Sequence, residues 1–177
     1  MKTKSAAGSL FSILVLLNIA IAIYYYSSLP ELVAIHFTLS GEPDGWNAKA
    51  IYLGFQIGLS LFILLFFFGL VKMLNMLPDS ALNIPHQDYW LAPERRDQTI
   101  SQFQILLYNI GSATMLLFFI LHFQINRANL DDVFRSDILF WPVMVGWLLL
   151  LMVITIRGYR YFNFSNDNLV EKDQDKH

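Results

Sequence analysis

Four long apolar runs, residues 8–26, 51–71, 100–123 and 138–156, contain no Asp, Glu, Lys or Arg. A hydrocarbon core about 30 Å thick takes roughly 20 apolar residues in helical form, because backbone N–H and C=O groups without water must bond within the segment. Each run meets that length and is too long for an ordinary buried strand. Of the 177 residues, 55% are hydrophobic and 15% charged, against about 25% charged in soluble domains. A soluble core of this size cannot hide four such runs, so lipid is their expected solvent. The sequence predicts an all-α membrane protein of four transmembrane helices.

Lys and Arg set the expected orientation. With the N-terminus inside, nine basic residues face the cytoplasm: Lys2, Lys4, Lys72, Arg95, Arg96, Arg157, Arg160, Lys172 and Lys176. Lys49, Arg127 and Arg135 fall outside. The positive-inside rule then predicts an N-in/C-in chain. The first run has an alternative reading as a signal peptide, since Lys2 and Lys4 precede it and Ala20-Ile21-Ala22 resembles a cleavage site. Its length, and the Tyr24-Tyr25-Tyr26 belt at its end, favour a retained span. The chain divides into residues 1–72 (two spans and their connection), a cytoplasmic interfacial loop at 73–99, a hairpin of spans at 100–162, and a polar tail at 163–177, expected to be disordered.

Within the spans, Gly54 and Gly58 form a small-xxx-small pair that suits close approach of another helix, including one from a second copy. Gln98, Gln102, Asn109 and Ser112 share a face by helical spacing and are expected to point into the bundle as interhelical glue. His122 lies near the outer end of the third span, placed to snorkel to the interface.

The connection after the first span is expected outside the membrane and structured. Val33, Ile35 and Phe37 alternate, predicting a short extended segment, and Gly41, Pro43, Asp44 and Gly45 are turn formers. Trp46 and Lys49 suit the headgroup region. Taken together, Leu29-Pro30, His36-Phe37, Gly41-Glu42-Pro43-Asp44-Gly45-Trp46 and Lys49, directly after a first span, resemble the bacterial membrane domain-of-unknown-function family 1648, related to the SdpI-type immunity proteins. The resemblance covers about residues 8–70. It implies a multi-pass protein of the bacterial cytoplasmic membrane with an immunity or sensing role, whose partner is a secreted peptide or another membrane protein. The chain has four spans and lacks a second, SdpI-like half, a departure that puts toxin binding in doubt.

The cytoplasmic loop centres on Tyr89-Trp90-Leu91-Ala92-Pro93-Glu94-Arg95-Arg96, a pattern similar to loops in uncharacterised members of that family. Tyr89, Trp90 and Leu91 suit the inner interface, and Pro93 the first turn of the third span. Glu94 suits the positive helix end, whereas Arg95 and Arg96 need partners: Asp88, Asp97, lipid phosphate or an anionic ligand.

Few function classes remain. There is no cysteine, so thiolate chemistry and disulfides are excluded. A formal charge of −2 gives no basic surface for nucleic acid. No G-x-S-x-G elbow, P-loop, dinucleotide fingerprint or H-E-x-x-H spacing is present, so no catalytic residue, metal or cofactor is expected. Asp131, Asp132 and Asp137 with Arg127 and Arg135 form a mixed-charge outer connection. The expected ligand-binding residues are His36, Asp44, Trp46 and Lys49 outside, and Tyr89, Trp90, Glu94, Arg95 and Arg96 inside. The alternative is a small membrane enzyme or transporter centred on His36, Asp44 and Lys49 or on Glu94, Arg95 and Arg96.

Overall fold

The computed structural model describes residues 2–38, 40–131 and 136–174. In chain order it contains α1 (Lys2–Tyr26), β1 (Leu32–Phe37), β2 (Pro43–Ala48), α2 (Lys49–Leu74), a 3-10 turn (Asp79–Ala81), the single-turn α3 (Gln87–Trp90), α4 (Arg96–Ala128) and α5 (Ser136–Gln174). Four helices are long and apolar enough to cross a membrane: Lys4–Tyr26, Lys49–Leu74, Arg96–Ala128 and Phe140–Asn163. The protein is thus a mostly helical, multi-pass membrane protein. The all-α expectation needs one correction, an antiparallel β-hairpin between α1 and α2.

Inside the bundle, buried positions recur at helical spacing. On α2 they are Tyr52, Gln56, Ser60, Ile63, Phe67, Val71 and Leu74. Helices α1 and α4 run parallel, and their contacts advance together along both. Phe11 meets Tyr108 (6.1 Å between ring centroids), Asn18 Nδ2 donates to Met115 O (2.9 Å), and Tyr25 meets Phe123 (6.5 Å). Gly111 sits where three helices converge: a Cβ there would lie 2.9 Å from Phe11 and 3.2 Å from Phe67. A small residue lets the backbones close in, which is how membrane helices gain packing energy when lipid is as apolar as their side chains.

The interior is not the most apolar part of the bundle. Asn18, Gln56, Ser60, Gln104 and Ser112 are buried, while Leu16, Leu65, Phe62 and Leu148 face outward. This corrects the expected polar face of the third span. Gln98 is exposed and donates to Tyr161 Oη (3.1 Å), Gln102 and Asn109 are half-buried, and only Ser112 is fully inside. Gln104, on another face, reaches Val71 O (3.1 Å) and Asn75 Oδ1 (3.2 Å) and ties α4 to the end of α2.

The 33 residues of α4 span about 50 Å, well beyond a bilayer core. Its two ends carry the two connections. At one end, Asn129 just past the helix seizes the hairpin. At the other, Thr99 Oγ1 donates to Trp90 O (2.8 Å) and fixes the loop.

That loop is packed rather than spread on an interface, which corrects the expectation for Trp90 and Leu91. Trp90 is 2% exposed and packs with Phe162, Leu82, Ile84 and Ile100, and its Nε1 donates to Phe162 O (2.8 Å). A buried indole N–H needs such a partner. Helix α5 runs on to Gln174 where a disordered tail was expected from Asn163. Extending an existing helix adds one bond for each residue fixed, far easier than nucleating a new one. Residues 175–177, and Asp132 and Arg135 of the mixed-charge connection, lie outside the described residues.

Candidate functional site

The hairpin is the most distinctive feature of the fold. Its register pairs Leu32 with Ala48, Val33 with Asn47, Ala34 with Trp46, His36 with Gly45 and Phe37 with Pro43. Ile35 and Asp44 are skipped, so each strand bulges once. The expected extended segment is therefore present, but its inward residues are Val33 and Ala34, and Ile35 is exposed. The turn formers divide between two roles. Gly41 takes a left-handed φ of 86° at the tip, where Thr38 N–H donates to Glu42 O (2.8 Å). Pro43, Asp44 and Gly45 lie in β2 instead. Gly45 is required by crowding, since a Cβ there would sit 3.0 Å from His36 Cβ.

Three attachments hold the hairpin on the bundle. Lys49 N–H donates to Glu31 O (3.0 Å) and closes its base. Leu29 and Val33 pack on Tyr52 from α2, with Tyr25 and Ile125 alongside. Asn129 binds the open edge of β1: Ala34 N–H donates to its Oδ1 (2.7 Å) and its Nδ2 donates to Ala34 O (2.8 Å). Its primary amide thus matches the peptide group as a third strand would, which satisfies both edge groups of Ala34.

The expected outer residues gather in two pairs. His36 Nδ1 pairs with Asp44 Oδ1 at the exposed surface. Lys49 Nζ reaches Glu31 Oε1 (2.9 Å) and lies 5.2 Å from the Tyr26 ring centroid. Trp46 is 56% exposed, and with Leu32 and Ile35 it gives the hairpin an apolar outer surface. None of His36, Asp44, Trp46 or Lys49 is among the lining residues of the cavity that opens beneath the hairpin.

At the loop end the arginines have partners that the sequence did not suggest. Arg96 Nε meets Asp79 Oδ1 (2.7 Å) and its Nη2 donates to Leu77 O (2.9 Å), in place of Asp88 or Asp97. Asp79 offsets the cation that Arg96 places in the first turn of α4. Arg95 lies over the Tyr89 ring at 3.9 Å. Glu94 is exposed, and Pro93 lies in the turn before α4, not in its first turn.

A cavity of about 250 Å³ opens beneath the hairpin, lined by Ile35 and Asn47 above, Ile51, Tyr52 and Phe55 from α2, and His122 and Ile125 from α4. Tyr52 Oη donates to Asn126 Oδ1 (3.2 Å) beside it. His122, expected at the interface, is 4% exposed. Among the described residues, His122 Nδ1 and Asn126 Nδ2 are buried with no hydrogen-bond partner. The sequence marks this cluster by spacing alone. Tyr52, Gln56 and Ser60, and likewise His122 and Asn126, are polar residues four apart inside apolar spans.

No curated protein and no solved structure matches the chain. One family model does, over residues 13–57, which run from α1 through the whole hairpin into α2 and include five cavity-lining residues: Ile35, Asn47, Ile51, Tyr52 and Phe55. That segment is similar to the family described as domain of unknown function (DUF1648).

Proposed function

We propose that the protein resides in a bacterial cytoplasmic membrane and senses an envelope ligand, a secreted peptide or another membrane protein, at its hairpin end. The observation that carries this reading is α4. A single unbroken helix is clamped to the hairpin through Asn129 and to the loop through Thr99 and Arg96, so displacement of the hairpin bears directly on the loop. The hairpin displays Trp46, Leu32 and the His36–Asp44 pair on a mounted scaffold, and aromatic side chains are favoured anchors for recognition. The nine-to-three division of basic residues supports placing the hairpin outside and both termini inside. The immunity role stands on the family resemblance. A catalytic or transport centre at His36, Asp44 and Lys49 finds less support, because His36 pairs with Asp44 at the surface, Lys49 pairs with Glu31, and none of the three lines the cavity.

Deletion of the gene, followed by challenge with secreted peptides and membrane-active agents, tests the role. Altered sensitivity is expected, and unchanged sensitivity to every agent counts against it. Orientation is tested in a chain that has no native cysteine. Asp44→Cys should react with an impermeant maleimide on intact cells and Arg95→Cys should not, and the reverse pattern refutes the topology.

A further inference from the structure

The cavity beneath the hairpin has a composition that specifies its occupant. Ile35, Ile51, Phe55 and Ile125 give it hydrocarbon walls, which favour apolar matter over water. Its 250 Å³ equals about eight units of the roughly 30 Å³ that one water takes in the liquid. Drug-sized ligands need pockets from about 300 Å³ upward, so this one takes a short chain or a chain end. Ile51 and Phe55 are 60% and 63% exposed on the lipid-facing side of α2, so the wall they form is continuous with the bilayer-facing surface.

The polar groups at its inner side are short of acceptors. His122 and Tyr52 line the cavity; Asn126 and Gln56 stand one helical turn from them. The Nδ2 of Asn126 and the Nδ1 of His122 have no partner among the described residues. A polar group buried this way in apolar surroundings costs on the order of several kcal/mol, and native structures keep one where a ligand or water completes it. Asn126 Nδ2 is a donor, and His122 Nδ1 is one in the tautomer that protonates it, so the pair favours an oxygen acceptor over a cation.

We propose that the cavity binds an aliphatic chain of about eight carbons, bearing a hydroxyl or carbonyl oxygen that sits against His122. The occupant enters sideways from the bilayer between α2 and α4. This deepens the sensing reading by naming a ligand class at the same end of the bundle, yet it rests on the cavity alone.

The test uses the full chain in nanodiscs of phosphatidylcholine and phosphatidylglycerol, photolabelled with a diazirine-bearing octanol, with adducts located by mass spectrometry. Adducts are expected on Ile35, Phe55 and Ile125, displaced by unlabelled octanol. Ile125→Trp, or Phe55→Trp at the exposed rim, fills the space and should cut that labelling about tenfold. His122→Phe keeps a ring in place but removes both nitrogens; it should weaken competition by octanol about tenfold and leave competition by octane unchanged. A parallel arm carries the diazirine at an acyl-chain end of the phosphatidylglycerol. Labelling in that arm identifies bilayer lipid as the source, and labelling by octanol alone identifies a free amphiphile. Adducts spread evenly over Leu65, Leu148 and other lipid-facing positions would overturn the site. Equal competition by octanol in the wild type and His122→Phe would overturn the oxygen contact. A labelled cavity in a protein whose deletion has no phenotype removes the sensing reading and leaves the site standing. A phenotype without cavity labelling does the reverse.

Discussion

At the loop end of the bundle, Trp90, Phe103, Tyr161 and Phe162 close on one another with ring centroids 5.0–5.4 Å apart, and the polar groups that anchor the loop are partnered. Trp90 Nε1 has the Phe162 carbonyl, Thr99 Oγ1 the Trp90 carbonyl, and Arg96 both Asp79 and the Leu77 carbonyl. At the hairpin end the attachment runs through backbone groups, a cavity remains beneath, and buried nitrogens of His122 and Asn126 go unmet among the described residues. Aromatic rings fill space and fix geometry, so the loop end is a structural clasp. Unfilled volume beside unspent donors is what a binding site keeps, because a site already satisfied gains nothing from a ligand.

If the loop end is a clasp, its largest side chain must matter most. Trp90→Ala is expected to destabilise the protein by about 3–5 kcal/mol, the cost of emptying a buried aromatic site, read as a fall in unfolding temperature in detergent. A loss smaller than that of any hairpin variant would break the comparison. Asn129→Ala comes next. It strips both bonds from Ala34, at about 2–3 kcal/mol, but the effect is local. Hydrogen exchange at the Ala34 amide should speed up on the order of 50-fold, while protection in the middle of α4 persists. Equal loosening of both would mean that the hairpin and the bundle unfold as one unit.

How much of this was visible in the sequence follows from the solvent. The four helices were legible because lipid forbids charge over about 20 residues. Their facing sides were not, since in lipid the outside is as apolar as the inside and amphipathic periodicity is lost. Leu65 and Ile63 look alike in sequence, yet one faces out and the other in. The inner seam of α2 is marked instead by its polar members Tyr52, Gln56 and Ser60. Trp90 was misplaced because interfacial tryptophan and core tryptophan share one chemistry, and only the carbonyl of Phe162, 72 residues on, decides between them. Asp79 went unnoticed as the partner of Arg96 for the same reason of distance along the chain.

The surface charges sharpen the contrast on a smaller scale. Asp79→Asn leaves Arg96 at a helix N-terminus without its counter-charge and should cost about 1 kcal/mol, a half-exposed pair in favourable geometry. His36→Ala removes an exposed pair and should shift stability by less than about 0.5 kcal/mol. Any effect of His36→Ala on cellular sensitivity would then belong to recognition and not to folding. Loss of stability instead would place His36 in the scaffold.

The smallest expected effect on the fold tests the outward face of α2. A Cβ at Gly54 or Gly58 meets nothing within 4 Å among the described residues, unlike one at Gly111, which strikes Phe11 and Phe67. Gly54→Ala with Gly58→Ala should therefore leave the unfolding temperature level or slightly raised, since Ala exceeds Gly in helix propensity by up to about 1 kcal/mol per residue. If a second copy docks there, as the small-xxx-small spacing allows, the pair of variants should lower the dimer fraction seen by cross-linking in nanodiscs without touching stability. A drop in stability at low protein density, where copies do not meet, would show that this face is already spent within one chain.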